Sequence, residues 1–222
     1  MASSVTTERA NESASVRAAP GTRSLLRYGV LVGPFYLALG VIQGLVRDGF
    51  DFARHPLSVL ANGPGGWVQT VNFVLSGLMV IAAAVGFRRV LGPKSRAVTW
   101  FLGAFGASML VAAAFPADPV DGFPPGTPEG VPTSISTTGL MHFIAGGLGF
   151  LSLAISCFFA APAMKRQNMP GLARLSLLSG LVVFLGFFGG IALPLGVLGI
   201  WLAVLVGWTW LLTLSLALRR LA

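Results

Sequence analysis

The sequence predicts an all-α fold: a six-transmembrane-helix bundle with both termini cytoplasmic and a short interfacial helix in the first outer loop. Three observations predict it. Hydrophobic residues make up 55% of the 222 and charged residues only 10%, whereas a soluble domain is roughly a quarter charged. The apolar residues fall into six continuous runs with no strict alternation, which argues for helices and against membrane strands. Lysine and arginine cluster in every second connection, and basic residues flanking membrane spans are retained on the cytoplasmic side.

Residues 1–27 read as a polar, disordered cytoplasmic tail, rich in Ser, Ala and Thr early on and lacking the apolar core of a cleaved signal peptide. Arg23 and Arg27 then precede the first span, Gly29 to Val46. The first outer connection carries His55-Pro56-Leu57-Ser58-Val59-Leu60-Ala61, then Asn62-Gly63. Proline suits the first turn of a helix and Asn-Gly ends one, so a short interfacial helix is expected there, with Trp67 anchoring the boundary. The second span is Val68 to Phe87, and Arg88, Arg89, Lys94 and Arg96 hold the next connection inside. The third span, Ala97 to Phe115, leads into a long outer connection from Pro116 to Thr138. Prolines 116, 119, 124, 125, 128 and 132 forbid a helix in it. A loop of that length in a small protein is either a functional lid or disordered.

The fourth span is Gly139 to Ala161, with the single cysteine, Cys157, inside it as a small packing residue. Lys165, Arg166 and Arg174 mark the inner connection before the fifth span, Leu172 to Leu193. A tight turn at Pro194 joins it to the sixth, Leu195 to Leu218, and Arg219 and Arg220 close the chain inside. Each run has about the 20 residues needed to cross a hydrocarbon core of roughly 30 Å.

Sorted by side, the inner face carries +11 and the outer face −3 of the net +8. The positive charge is therefore a matter of topology and anionic headgroups. No basic and aromatic groove for nucleic acid is present, and membrane lipids are the expected partners. Glycine pairs four residues apart (Gly29 and Gly33, Gly40 and Gly44, Gly186 and Gly190) clear one helix face for close approach. Packing within the bundle is the favoured use, with a homo-oligomer contact through the glycine-rich faces as the other. Leu75-Ser76-Gly77-Leu78 recurs as Leu178-Ser179-Gly180-Leu181, a hint of a three-helix duplication.

The candidate site comes from depth. Gln43, Gln69, Asn72 and His142 all fall near the outer ends of their spans, and His55, Ser58, Asp118, Asp121 and Glu129 join them from the outer connections. Polar groups in membrane segments are costly and usually face the interior, where they mark sites. A polar pocket is expected between the first, second and fourth helices, roofed by the proline-rich loop. The alternative is that these residues cap helix ends, satisfy each other and hold the lid shut.

The ordered pattern His55-Pro56-Leu57-Ser58-x-Leu60, the glycine-rich turn and Trp67, then Phe115-Pro116-Ala117-Asp118 and His142, resembles the prokaryotic membrane family called domain of unknown function 998 (DUF998). The resemblance runs from about Tyr28 to Leu218. It implies six helices and a bacterial or archaeal cell membrane, and it implies no established reaction. Family members often carry a Glu-Arg or Gln-Arg pair at the start of the last helix, where this chain reads Pro194-Leu195-Gly196-Val197.

Three function classes follow from the residues. An uncharacterised protein whose outer-leaflet pocket binds a lipid or small amphiphile is the leading one. The runner-up is a metal-dependent hydrolase of a lipid ester or amide: His55, Asp118, Asp121 and His142 are suitable ligand types for Zn²⁺, with Ser58 as a supporting donor or alternative nucleophile. No His-Glu-x-x-His motif supports it, and no other cofactor is indicated. A structural scaffold is the third. A bis-histidine haem would need two ligands facing each other, which His55 in a loop does not supply. Ion-coupled transport is disfavoured by the near absence of ionisable residues at mid-span.

Overall fold

A ring of six helices encloses an apolar interior in this computed structural model, which describes residues 21–130, 133–192 and 196–222. The helices are α1 (Thr22–Val46), α2 (Gly66–Leu91), α3 (Arg96–Ala114), α4 (Thr137–Arg166), α5 (Pro170–Ala192) and α6 (Gly196–Leu221). All six are long and apolar enough to cross a membrane. Each packs against the next, and α6 returns to α1 to close the ring. The tail up to Pro20 and the turn around Pro194 lie outside the described residues.

The helices outrun the apolar spans read from sequence. α1 begins at Thr22, so Thr22 to Arg27, assigned by sequence to the tail, are helical, and α4 continues past Ala161 to Arg166. The physical reason is that hydropathy marks where a helix meets hydrocarbon, whereas the helix itself persists until a stop signal arrives. α2 stops at such a signal: Gly92 takes a φ of 70°, a left-handed conformation that costs glycine nothing. Long basic side chains can keep their charged heads in the headgroup layer while their helices continue.

The glycines set the spacing of the ring. A Cβ at Gly33 would lie 2.9 Å from the Trp208 Cβ, so α1 and α6 can meet only because Gly33 has none. At Gly186 the obstruction is the Gly199 carbonyl oxygen at 2.8 Å, which brings α5 and α6 together. Gly40 and Gly44 receive Leu57 and the Phe50 and Phe52 rings of the first long connection. All three glycine pairs thus face partners in this chain. The repeated Ser-Gly serves one purpose twice: Gly77 approaches the Gly106 carbonyl of α3, and Gly180 approaches the Ala154 carbonyl of α4.

The short helix expected in the first outer connection is present as a 3-10 helix, Leu57–Ala61, preceded by Pro56 and ended at Asn62. Leu57, Val59 and Leu60 are buried against the bundle, so the segment plugs the helix ends with its own apolar side chains. The proline-rich connection has no helix among its described residues, and its only pairing there is an isolated bridge between Val120 and Phe123. Cys157 is fully buried.

Candidate functional site

A cavity of about 620 Å³ opens at the end of the bundle where the two long connections lie. That volume is about four times the roughly 150 Å³ of an engineered apolar cavity that stays dry, and it falls in the range of small-molecule sites. Its walls come from α1 (Tyr36), α2 (Phe73), α3 (Phe105, Ser108, Met109, Ala112), α4 (His142, Phe143, Gly146, Phe150, Leu153), α5 (Phe187, Ile191) and α6 (Ile200, Trp201, Val204, Trp208). Polar side chains (Arg54, Ser58, Asp118, Ser134 and His142) gather toward the two connections. The result is a greasy chamber with a polar mouth.

The walls are built of interlocking rings. Trp208 stands between Tyr36, at 5.3 Å between centroids, and Phe105, at 5.7 Å. Phe150 of α4 stacks on Phe187 of α5 at 4.2 Å and 14°. Such pairs contribute about 0.5–1.5 kcal/mol beyond area burial and hold fixed geometry, so the chamber has rigid faces where α1, α3 and α6 meet.

The two connections form a bonded roof. Arg54 of the first donates to Asp121 of the second, with Nε to Oδ2 at 2.9 Å, and to Glu129. The Arg54 guanidinium, and after it the Gly130 N–H, holds the Asp121 carboxyl well below the usual carboxylate range. Asp121 and Glu129 in turn raise Arg54 above its ordinary value. Asn62 Nδ2 donates to the Ala117 carbonyl at 2.9 Å, and Trp201 Nε1 of α6 donates to the Phe52 carbonyl at 3.0 Å. Arg47 caps the 3-10 segment through the Leu60 and Asn62 carbonyls and lies 4.9 Å above the Phe123 ring.

His55 belongs to this roof. Its ring is fully buried against Phe50 and Phe123. The Asp51 backbone N–H donates to Nδ1 at 2.9 Å, so the proton must sit on Nε2, which then donates to the Asp121 carbonyl at 3.0 Å. Both nitrogens are committed to backbone. Asp118 plays a matching part for α4: its carboxylate accepts from the Ser136 backbone N–H at 2.9 Å and from the Ser136 hydroxyl, whose oxygen accepts from Gly139 N at 3.0 Å. Asp118 therefore steadies the N-cap of the helix that carries His142. His142 Nδ1 lies 2.9 Å from the Phe115 carbonyl and donates to it, tying α4 to the end of α3.

The sequence-predicted residues divide into three groups. Ser58, Asp118 and His142 line the chamber. His55 and Asp121 lie in the roof, joined to each other through backbone. Gln43, Gln69 and Asn72 do not line it; they clamp α1 to α2. Gln43 Nε2 donates to Gln69 Oε1 at 3.0 Å, while Asn72 Nδ2 donates to the Tyr36 carbonyl at 3.1 Å and to Gln69 Oε1 at 3.2 Å. Helix rotation turns them toward each other and away from the space.

Two corrections follow. The pocket is not confined to the first, second and fourth helices, because α3, α5 and α6 supply much of its wall. The four residues considered as Zn²⁺ ligands do not form one cluster: among the described residues no group of three or more His, Cys, Asp or Glu could share an ion. His55 and Asp121 serve the roof, and Asp118 and His142 serve the α3–α4 corner. The aromatic lining was not singled out from sequence at all. The available signal was spacing, since Trp201, Val204 and Trp208, or Phe105, Ser108, Met109 and Ala112, recur at helical period.

No curated protein and no solved structure matches this chain. The model of a family described as "Protein of unknown function (DUF998)" matches residues 30–219, most of the chain and all of the bundle but its outermost turns. This six-helix membrane protein belongs to the DUF998 family.

Proposed function

We propose that this protein sits in a bacterial or archaeal cell membrane with both termini cytoplasmic and binds the apolar chain of a lipid or small amphiphile in the chamber. The observation that carries the reading is the chamber itself: about 620 Å³ lined mainly by aromatic and aliphatic side chains, with its charged groups, Arg54 and Asp118, toward its mouth. Empty apolar space is costly, because its lining forfeits dispersion contacts on one side. Water is a poor filler where so few polar partners exist. A hydrocarbon chain fills such a space with the right chemistry and leaves a polar head beside Ser58, Asp118 and His142. Membrane lipids are the partner chemistry nearest to hand. The orientation follows from the basic residues, which by connectivity flank the helix ends opposite the roof.

Tryptophan quenching tests it. Trp67 and Trp100 are exposed on the outside, at 69% and 75%, whereas Trp201 and Trp208 line the chamber. In a Trp67→Phe, Trp100→Phe background reconstituted with acyl-brominated lipids, substantial quenching is expected. Adding Val204→Phe, which intrudes on the chamber, should remove most of it. Quenching that is absent, or that Val204→Phe leaves unchanged, contradicts the proposal.

A further inference from the structure

The described residues of the roof are tied to one another by ion pairs and hydrogen bonds. We infer that the chamber exchanges its occupant sideways with the surrounding lipid, through the seam between the roof-side halves of α4 and α5; this rests on the lipid-binding reading above. Phe143 of α4 and Ile191 of α5 line the chamber, yet they are 55% and 49% exposed, whereas Phe187 and Trp208 of the same wall are 7% and 5%. Exposure of that degree in a wall residue marks where the wall is one side chain thick. Beside them α4 meets α5 through side chains alone: a Cβ at Gly146 would meet only the tip of the Phe187 ring, at 3.6 Å, and Phe187 stacks on Phe150. Two other helix contacts are closer: α5 and α6 meet on glycine against backbone at Gly186, and α1 and α6 meet at Gly33.

The way from water is obstructed differently. Passage through the roof requires parting Arg54 from Asp121 and Glu129, His55 from the Asp121 carbonyl, and Asn62 from the Ala117 carbonyl. Passage through the seam requires only rotamer changes of Phe143 and Ile191 and a shift of the Phe150–Phe187 stack, with no polar bond broken. An apolar chain already in the bilayer meets the second barrier and never the first. The occupant is therefore a lipid drawn from the adjacent leaflet, its head left at the polar mouth.

A cleavable cross-link tests this on one folded molecule. Phe143→Cys and Ile191→Cys are introduced into the Trp67→Phe, Trp100→Phe background with Cys157→Ala, then joined across the seam by a bis-methanethiosulfonate linker, with linkage verified by mass spectrometry. The reconstituted protein is mixed with vesicles of acyl-brominated phosphatidylcholine and the quenching time course is followed. The linker is expected to slow quenching about ten-fold or more, as an added barrier of about 1.4 kcal/mol would, to leave the final extent unchanged, and to lose its effect on reduction. An unchanged rate with the linker in place overturns lateral exchange alone. No quenching in the unlinked protein overturns the lipid-binding reading as well.

Discussion

His55 illustrates how a residue suited to chemistry can be committed to architecture. Both ring nitrogens are held by backbone groups of the two connections, so His55→Ala strands the Asp51 N–H and leaves the Asp121 carbonyl with Arg54 as its remaining donor. The expected cost is about 2 kcal/mol, within the range for losing buried hydrogen-bond partners, read as a lower melting temperature in detergent. A chelator should leave that temperature unchanged in the parent protein, because no shared metal site gathers these ligands. The Arg54–Asp121 pair gives a pH signature. Its folded carboxyl lies below the ordinary value of about 3.9, so its contribution is complete above that pH and lost as pH falls toward the folded value. Melting curves of parent and Asp121→Asn should therefore differ by a constant amount from about pH 8 to 5 and begin to converge below about pH 4. A difference that vanishes near neutrality would place the roof's stability elsewhere.

At the scale of elements, glycine decides which helices touch. Gly186→Val would drive a side chain against the Gly199 carbonyl and Ala203. Overpacking of that kind costs about 1–3 kcal/mol, whereas Gly147→Ala enters open space and should be near neutral in the same unfolding assay. The six helices were legible in the sequence because hydropathy reports length in hydrocarbon directly. Their rotations were not. Gln43, Gln69 and Asn72 group with His142 by position along their spans, yet they face the α1–α2 interface, and in helices apolar all round no polar stripe reveals which face looks inward. For the same reason Phe105, Phe150, Phe187 and Trp208 merge with their neighbours on the page and stand out only once the ring closes. The roof was half legible: prolines 116 to 132 excluded a helix, but the pairing of Arg54 with Asp121 and Glu129 spans 67 and 75 residues, a distance no local pattern carries.

The whole molecule is a ring whose one end is basic and whose other end is roofed, acidic and hollow beneath. Cysteines placed singly at Ser24 and at Gly126, in a Cys157→Ala background, should be reached by a membrane-impermeant thiol reagent in intact cells only at Gly126. The opposite result would invert the orientation. Closure of α6 on α1 is what turns six spans into a container, and no feature of one span foretells it. The container's content is the central claim, and a diffraction map from crystals grown in a lipidic phase addresses it most directly. The account predicts elongated non-protein density running from the Asp118 and His142 mouth past Trp208 toward Leu153. A chamber collapsed by side-chain rearrangement, or one holding only discrete water peaks, would contradict it.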